Sequence, residues 1–541
     1  MVITVGLLII LVHTVTSSNI PFDNDEANHA VDGWEVYHAF TNLNPADLYQ
    51  SITNQGFYPP VHSLFVAAGY MFAGPSLVSS RIPTLINFTL TLILLAWLTY
   101  KIAYRVSKNA PSGSCLAFAG SATAVSLAVT SEVFVTNSVL CMLEMTGALF
   151  GMLLLFIVDQ EDETPKQSTR WIRLVSAAFI AMVIFLTKYS FGIFYLPGLL
   201  IALITITWAR KTSHRNWFEV AAVVVVYVVG LVLWLLVTDH DTMMLFFIDH
   251  SQYTPIFSVE NLLYLPRLWF ERYSTTPVIA SISILLALIG LVRQWKELAV
   301  RVAFWSIIAA FVVLTISTTN EPRHILPIAP PIWMLSGLGL VEVLRYLQRH
   351  SKGEIKVIVV LISVSSLIII GAIKSFNSLQ ARLIDEFEGE SVYSELQNYA
   401  LQNVDLDQPV LFIGDLSDQN GLLAIRWRAA TFANKSTWEM DIDYFPFQQH
   451  EHSISRTNRK PQIATVDPTI PRKHIKDVLA RGYFGDLVEI RYIDNYFGPR
   501  ANKLNDPLCG YNTKEEWFDD WVVIVYDLKE GPQSNCSDSD N

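Results

Sequence analysis

The chain has 541 residues, of which 52% are hydrophobic and 16% charged, with a mean hydropathy of +0.35. A soluble protein carries roughly a quarter charged residues, so composition excludes an ordinary soluble globular chain. The formal net charge of −11 sits almost wholly in residues 374–541, where 17 Lys and Arg face 27 Asp and Glu, and no basic stripe offers itself to nucleic acid.

Apolar runs of about 17–25 residues suit helices that cross ~30 Å of hydrocarbon. Such runs recur at about 2–17, 82–104, 114–131, 133–158, 172–188, 190–209, 217–238, 277–293, 302–318, 324–344 and 355–373. They predict a polytopic α-helical membrane protein of about eleven spans. The first run, "MVITVGLLIILVHTVTSS", has no Lys or Arg before it, unlike a cleaved signal peptide, and is expected to be a retained helix. Between the first two spans, "PVHSLFVAAGYMFAGPSLV" at 60–78 is interrupted by Gly and Pro and reads as an interfacial or re-entrant helix. Residues 374–541 read as a separate soluble α/β domain with a polar, disordered end. "PVLFIGD", "LVEIRYIDNYF" and "DWVVIVYDL" have strand character there, and "KHIKDVLARGY" that of an amphipathic helix.

Basic residues of short loops orient such a bundle. With the N-terminus inside, sixteen of the twenty-one Lys and Arg in residues 1–373 fall on the cytoplasmic side. Arg81, Lys188, Arg267, Arg272 and Arg323 fall outside. The first loop (18–81), the loop 239–276 and the tail are therefore expected to be extracytoplasmic, at the plasma membrane or its equivalent. Cys115 and Cys141 lie in apolar runs and read as packing residues. Cys509 and Cys536 lie in the tail and can pair if it faces an oxidising compartment.

Just after the first run comes "PFDNDEANHAVDGWEVYHAF", which is acidic and has no Lys or Arg. Asp23 and Glu26 have capping-box spacing, so a helix is expected to start here, with Asp25 and His29 as i, i+4 neighbours. Carboxylates in a first helical turn suit the macrodipole without any further role. Next to apolar and aromatic residues at a membrane surface, they are also candidates for proton transfer. Glu144, inside the fourth run, is a functional candidate as an intramembrane carboxylate, with bonding to a neighbouring helix an equal alternative. The stretch "DHDTMMLFFIDHSQY" has metal-like Asp and His spacing but reads better as interfacial loop, and no metal site is expected. Asn434-Lys-Ser has the form of a glycosylation sequon, a pattern common by chance.

The order of five segments carries a resemblance. "DEA" in the first loop is followed by "YPPV" entering a helix, then by "GPSLVSSRIP" opening a span; "FLTKYSFGIFYLPGLL" and "TNEPRHILPIAPPIWML" follow. Together they resemble the GT-C membrane glycosyltransferases. The likeness is to the branch of the dolichyl-phosphate-mannose protein mannosyltransferases and the bacterial aminoarabinose (lipid A) transferases, and it runs from about residue 20 to 345. Tyr189 stands where that branch usually has Gly, and His324 where it usually has Tyr.

The resemblance implies a sugar donor on a polyprenyl phosphate, embedded in membrane lipid. The acceptor hydroxyl would belong to a protein, a lipid or a glycan, with no cofactor and no metal. It places Asp25 as general base and Glu26 beside it, orienting the acceptor or the base. One base with direct attack implies inversion at the anomeric carbon. Lys188 and Arg323, with Arg81 as the weaker candidate, are the cations expected to hold the donor phosphate. His29, His62, Glu144 and Tyr58 are candidate substrate contacts. A lipid or solute transporter with an outer domain is the alternative. A transporter would show broken or polar helices at mid-membrane, whereas the charges here gather at the outer rim.

Overall fold

The computed structural model describes residues 2–17, 22, 24–110, 112–159, 167–209, 214–240, 243–244, 259–274, 276–316, 321–350, 373, 377, 391–414, 422–436, 442–444, 463–466, 484–492, 508–518, 521–529 and 532. The chain divides into two compact units. One comprises Met1–Ser17, Tyr49–Phe65 and Arg81–Leu383, and the other Ser18–Leu48, Val66–Ser80 and Ile384–Asn541. Two segments of the first loop thus cluster with the C-terminal part of the chain, a membership that no linear boundary conveys.

The first unit is helical. It contains α1 (Val2–Ser17), α3 (Pro45–Thr53, mostly), the start of α4 (Val61–Ala73) and nearly all of α5 (Leu77–Ser107). It continues through α6 (Gly113–Val129), α7 (Glu132–Thr136), α8 (Glu144–Val158), α9 (Gln167–Phe185), α10 (Tyr189–Ala209) and α11 (His214–Val237). Then come α12 (Val259–Glu271), α13 (Pro277–Arg293), α14 (Leu298–Ile316), a 3-10 helix at Pro322–Ile328 and α15 (Ala329–His350). Among the described residues, five helical stretches are long and apolar enough to cross a membrane: α5, α10, α11, α14 and the run Pro322–Arg349. Shorter apolar helices, α1, α4, α6, α8 and α13, accompany them.

These helices present apolar side chains outward. Val225, Val229, Leu233 and Leu236 of α11 and Leu285, Leu288 and Val292 of α13 are all exposed, which water disfavours and hydrocarbon does not. The fold is that of a polytopic membrane protein. The run 355–373 lies outside the described residues.

The expected single span at 133–158 is instead α7 and α8 with a break at 137–143. The hydrophobic run conceals polar side chains that end the first helix. Asn137 Nδ2 donates to Val133 O at 2.8 Å and Ser138 Oγ to Val135 O at 2.6 Å, competing with the helical ladder. The Gly and Pro at 74–75 separate α4 from α5. Gly74 adopts φ +74° and its N–H returns to Tyr70 O, ending α4 as a C-terminal glycine does. Ser76 and Ser79 then bond reciprocally: Ser79 N donates to Ser76 Oγ at 3.1 Å and Ser76 N to Ser79 Oγ at 2.9 Å, a capping box that starts α5.

The second unit places α2 (Asn24–Thr41) with α16 (Ser391–Gln402), α17 (Leu422–Ala433) and a six-stranded mixed sheet. Its strands are β1 (Val410–Gly414), β2 (Ile442–Tyr444), β3 (Ile463–Val466), β4 (Asp486–Tyr492), β5 (Asn512–Phe518) and β6 (Trp521–Asp527), in the order β2-β3-β1-β4-β6-β5. β1 runs parallel to β3 and β4, and β6 antiparallel to β4 and β5. Three strands read from sequence are present, while the helix read at 473–483 falls outside the described residues. α2 is clasped through Trp34 Nε1 to Lys435 O (3.0 Å) and Ser436 Oγ to Glu35 Oε2 (2.6 Å), and Trp427 packs edge-on against Phe22. Cys509 is disulfide-bonded, and Cys115 and Cys141 are thiols outside any disulfide.

Close approach in the bundle is set by glycine. A Cβ on Gly339 of α15 would collide with the backbone carbonyl of Leu286 in α13, and one on Gly290 with that of Leu335. Backbone cannot yield as a flexible side chain can. Gly339→Val is therefore expected to lower stability by about 1–3 kcal/mol or more, read as a fall in the unfolding midpoint in detergent. An unchanged midpoint would mean that α13 and α15 are not held at this spacing.

Candidate functional site

Three charged side chains of the first unit meet where three elements begin. Glu144 is the first residue of α8, Lys188 directly precedes α10, and Arg323 is the second residue of the 3-10 helix. Each start is positioned locally. Gly147 and Gly151 let α8 lie against the rings of Phe191 and Tyr195 on α10. The Lys188 carbonyl accepts from Phe191 N at 3.0 Å, and the 3-10 helix is pinned by Tyr273 Oη to Pro322 O and Tyr195 Oη to Pro327 O, both 2.6 Å. Helix starts carry unsatisfied N–H groups and partial positive charge, so the backbone reinforces the two cations.

Glu144 Oε1 lies 3.5 Å from Lys188 Nζ and 3.9 Å from Arg323 Nε. Arg323 Nε also lies 2.5 Å from Glu321 Oε2, and its Nη1 reaches the Met142 sulfur at 3.5 Å. Glu144 and Lys188 are each 2% exposed. Glu144 Oε2 is buried and has no hydrogen-bond partner among the described residues. Lys188 Nζ sits 5.6 Å from the ring centroids of both Tyr58 and Phe191, within the range of a cation–π contact.

At an effective dielectric of about 20, two unit charges at this separation attract by about 4 kcal/mol, while desolvating each costs several. The pair therefore barely repays its burial, and a fold seeking stability alone would do as well with leucines. What the arrangement supplies is a pair of cations brought together at one buried carboxylate, Glu144, with the exposed Glu321 on the outer side of Arg323; an arriving anion can compete with these carboxylates for both cations.

The segment around Tyr58 is tied to the same region. Tyr189 Oη donates to Gly56 O at 2.8 Å and accepts from Trp234 Nε1 at 3.2 Å, and Val61 N donates to Leu186 O at 3.1 Å. The tyrosine that replaces the expected glycine thus anchors the "GFYPPV" segment. His324, the other departure, is buried with Nε2 3.8 Å from Glu321 Oε2.

His62 is buried, with Nδ1 2.9 Å from Thr146 Oγ1; Asn87 Nδ2 donates to the same hydroxyl at 2.9 Å. It belongs to a polar network linking α4, α5 and α8. Arg81 is also buried, in the second turn of α5.

The remaining candidates lie in the second unit, on α2. Asp25 and Glu26 occupy its first turn, with His29 one turn later. Glu26 is 2% and His29 3% exposed, whereas Asp25 is partly exposed. Of the adjacent acids, Asp25 is the more accessible to a substrate. Asp32, one turn beyond His29, was given no role from sequence, yet burial pushes its carboxyl up to about 7, a shift opposed by Arg426 and reinforced by Glu35.

Glu321, Thr146 and Asn87 were also missed. Glu321 had a signal, since it immediately precedes Pro322-Arg323; the other two are polar residues in apolar runs, with no pattern to mark them. Among the described residues no group of three or more His, Cys, Asp or Glu is placed to hold a metal. The Asp/His stretch beginning at 239 lies largely outside them.

No family model matches the chain, and no curated protein does either. Solved structures do. ArnT from Cupriavidus metallidurans in its apo state superposes with a TM-score of 0.64 at 15% identity, over 98% of both chains. The same protein bound to undecaprenyl phosphate gives 0.58 at 14% identity, over 97% of both. The chain has the GT-C fold. An oligosaccharyltransferase from Archaeoglobus fulgidus tethered to an acceptor peptide is similar at 0.52 and 10% identity, over 91% of this chain and 69% of that one. At such identities the likeness is one of GT-C architecture, and residue roles rest on the geometry above.

Two outcomes follow from that geometry. Glu144→Ala strands Lys188 in a dry site and is expected to cost about 3–5 kcal/mol, whereas Glu144→Leu with Lys188→Met should cost much less. Unfolding midpoints of both variants in detergent measure the difference, and equal costs would mean the two charges are not coupled.

For Asp32, the folded protein holds a proton up to about pH 7 that the unfolded chain releases near pH 4. The second unit should therefore lose stability as pH rises from about 4 to about 7, and Asp32→Asn should flatten that slope. Hydrogen exchange of α2 across this range reads it; an identical slope in the variant would sink the assignment.

Proposed function

We propose that the chain is an integral membrane glycosyltransferase that moves a sugar from a polyprenyl-phosphate donor to an acceptor hydroxyl at the extracytoplasmic surface. The observation that carries this reading is the buried Lys188–Glu144–Arg323 cluster at three converging element starts, in a GT-C fold coextensive with an ArnT that binds undecaprenyl phosphate. Residues 1–373 form the membrane domain, whose first loop carries the base, and residues 374–541 form the extracytoplasmic domain. The distribution of Lys and Arg supports that orientation, as does the disulfide-bonded state of Cys509.

Asp25 accepts the proton of the acceptor hydroxyl as its oxygen attacks the anomeric carbon. The bond from that carbon to the phosphate oxygen breaks, and its electron pair leaves with the lipid phosphate. Lys188 and Arg323 stabilise the charge developing on this group, with the helix starts contributing. Glu26 orients Asp25 or the acceptor from its buried position. Tyr58, stacked near Lys188, borders the donor, and Arg81 is a further cation for the phosphate. A single displacement inverts the anomeric centre, and the acceptor is a protein, lipid or glycan hydroxyl.

The test is transfer from radiolabelled polyprenyl-phosphate sugars in membranes. Asp25→Asn is expected to lose on the order of 10²–10⁴-fold in rate while expressing and folding normally. Lys188→Gln and Arg323→Gln should each lose roughly 10²–10³-fold. Wild-type rates in Asp25→Asn remove it as the base; a product that retains the donor's anomeric configuration excludes the single displacement. No transfer from any such donor by the wild-type protein would overturn the class.

A further inference from the structure

α15 carries a second cationic site at its other end. Arg323 stands just before α15, and Arg349 at its last full turn. From Ala329 to Arg349 is twenty residues, about 30 Å of helix, which is the thickness of a bilayer's hydrocarbon core. At that far end the last turns of α13 and α15 enclose a cavity of about 500 Å³. Arg293 of α13 and Arg345 and Arg349 of α15 line it, and Leu288 and Val292 supply apolar surface.

Among the described residues, Glu342 is the one acid in the lining. It takes Arg345 Nη1 at 2.6 Å and Gln294 Nε2 at 2.7 Å. The carboxylate is thus committed to Arg345, and among the described lining residues Arg293 and Arg349 carry the remaining charge. The apolar wall does not close over: Val292 is 72% and Leu288 54% exposed, so it continues into the outward hydrocarbon-facing surface of α13. The close contact of α13 with α15 at Gly290 and Gly339 fixes the two arginine-bearing ends at a set separation.

We propose that this cavity binds an anionic phospholipid of the leaflet opposite the candidate active site. The headgroup phosphate would lie between Arg293 and Arg349, with an acyl chain along Leu288 and Val292. Arginines at a membrane surface pair with lipid phosphate as planar, bidentate donors. The volume suits a headgroup and the first methylenes of its chains. A snorkelling arginine needs no cavity; here two helices contribute arginines to one recess that opens onto apolar surface. The assignment rests on the membrane fold and not on the proposed sugar transfer, so failure of either leaves the other standing.

The experiment is native mass spectrometry and thermal unfolding of the full chain with phosphatidylglycerol, phosphatidylcholine or inorganic phosphate. The wild-type protein should retain phosphatidylglycerol at least tenfold better than phosphatidylcholine and be stabilised by it. Arg293→Gln with Arg349→Gln should abolish the preference. Val292→Glu, one residue from the end of α13, should do the same by placing a carboxylate on the wall, its unfolding midpoint without added lipid being compared with that of the wild type. Equal retention of both lipids by the wild-type protein overturns the proposal, as does a preference that survives in both variants. Protection by inorganic phosphate equal to that by phosphatidylglycerol makes it a free-anion site and overturns it as a lipid site.

Discussion

The chemistry of the membrane unit turns on the cost of placing charge in a dry recess. Glu144 and Lys188 are almost entirely removed from solvent, and their attraction at 3.5 Å about cancels the cost of taking them there. Such a balance holds only if every surrounding element is fixed. Glycines let α8 lie flush against α10, two tyrosine hydroxyls tether the 3-10 helix, and Tyr189 ties down the segment before α4. Shifting any one of them by an ångström would leave a cation or a carboxylate without its counterpart. The close packing is thus the condition for the charges, and the charges are the reason for the packing.

The fold was legible from sequence wherever hydrophobicity alone decides. α13 occupies the residues of its apolar run, and β1, β4 and β6 fall on the segments with strand character, because burial of an apolar stripe or face dominates in both settings. The break between α7 and α8 was not legible. Asn137 and Ser138 lower the hydropathy of a long run only slightly, and their effect comes through bonds to their own helix's carbonyls, which a windowed hydropathy cannot register.

The candidate site was legible as a set of residues but not as an arrangement. Lys188 and Arg323 stood out as rare cations at outer depth, and Glu144 as an acid in an apolar run. Nothing along the chain says that they meet, since Glu144 and Lys188 are 44 positions apart and Arg323 lies far beyond both. Spacing rules work within one helix or hairpin, whereas these residues are joined by the packing of α8, α10 and the 3-10 helix. On α2 the sequence shows two adjacent acids with nothing to say which is buried. Its helical periodicity buries Glu26 and His29 and leaves Asp25 partly exposed, so only the fold separates the two adjacent acids.

α15 connects two cationic regions that the membrane treats differently. At its start, Arg323 and Lys188 are held by carboxylates in a recess walled by protein. At its end, Arg345 is held by Glu342, while Arg293 and Arg349 are exposed and border an apolar surface. Burial makes the first pair costly to leave without an anion, which favours a ligand whose charge develops there. Exposure makes the second cheap to maintain, which suits a resident lipid that exchanges with the bilayer. One helix of roughly membrane length therefore separates a site built to respond to charge from one built to be anchored by it.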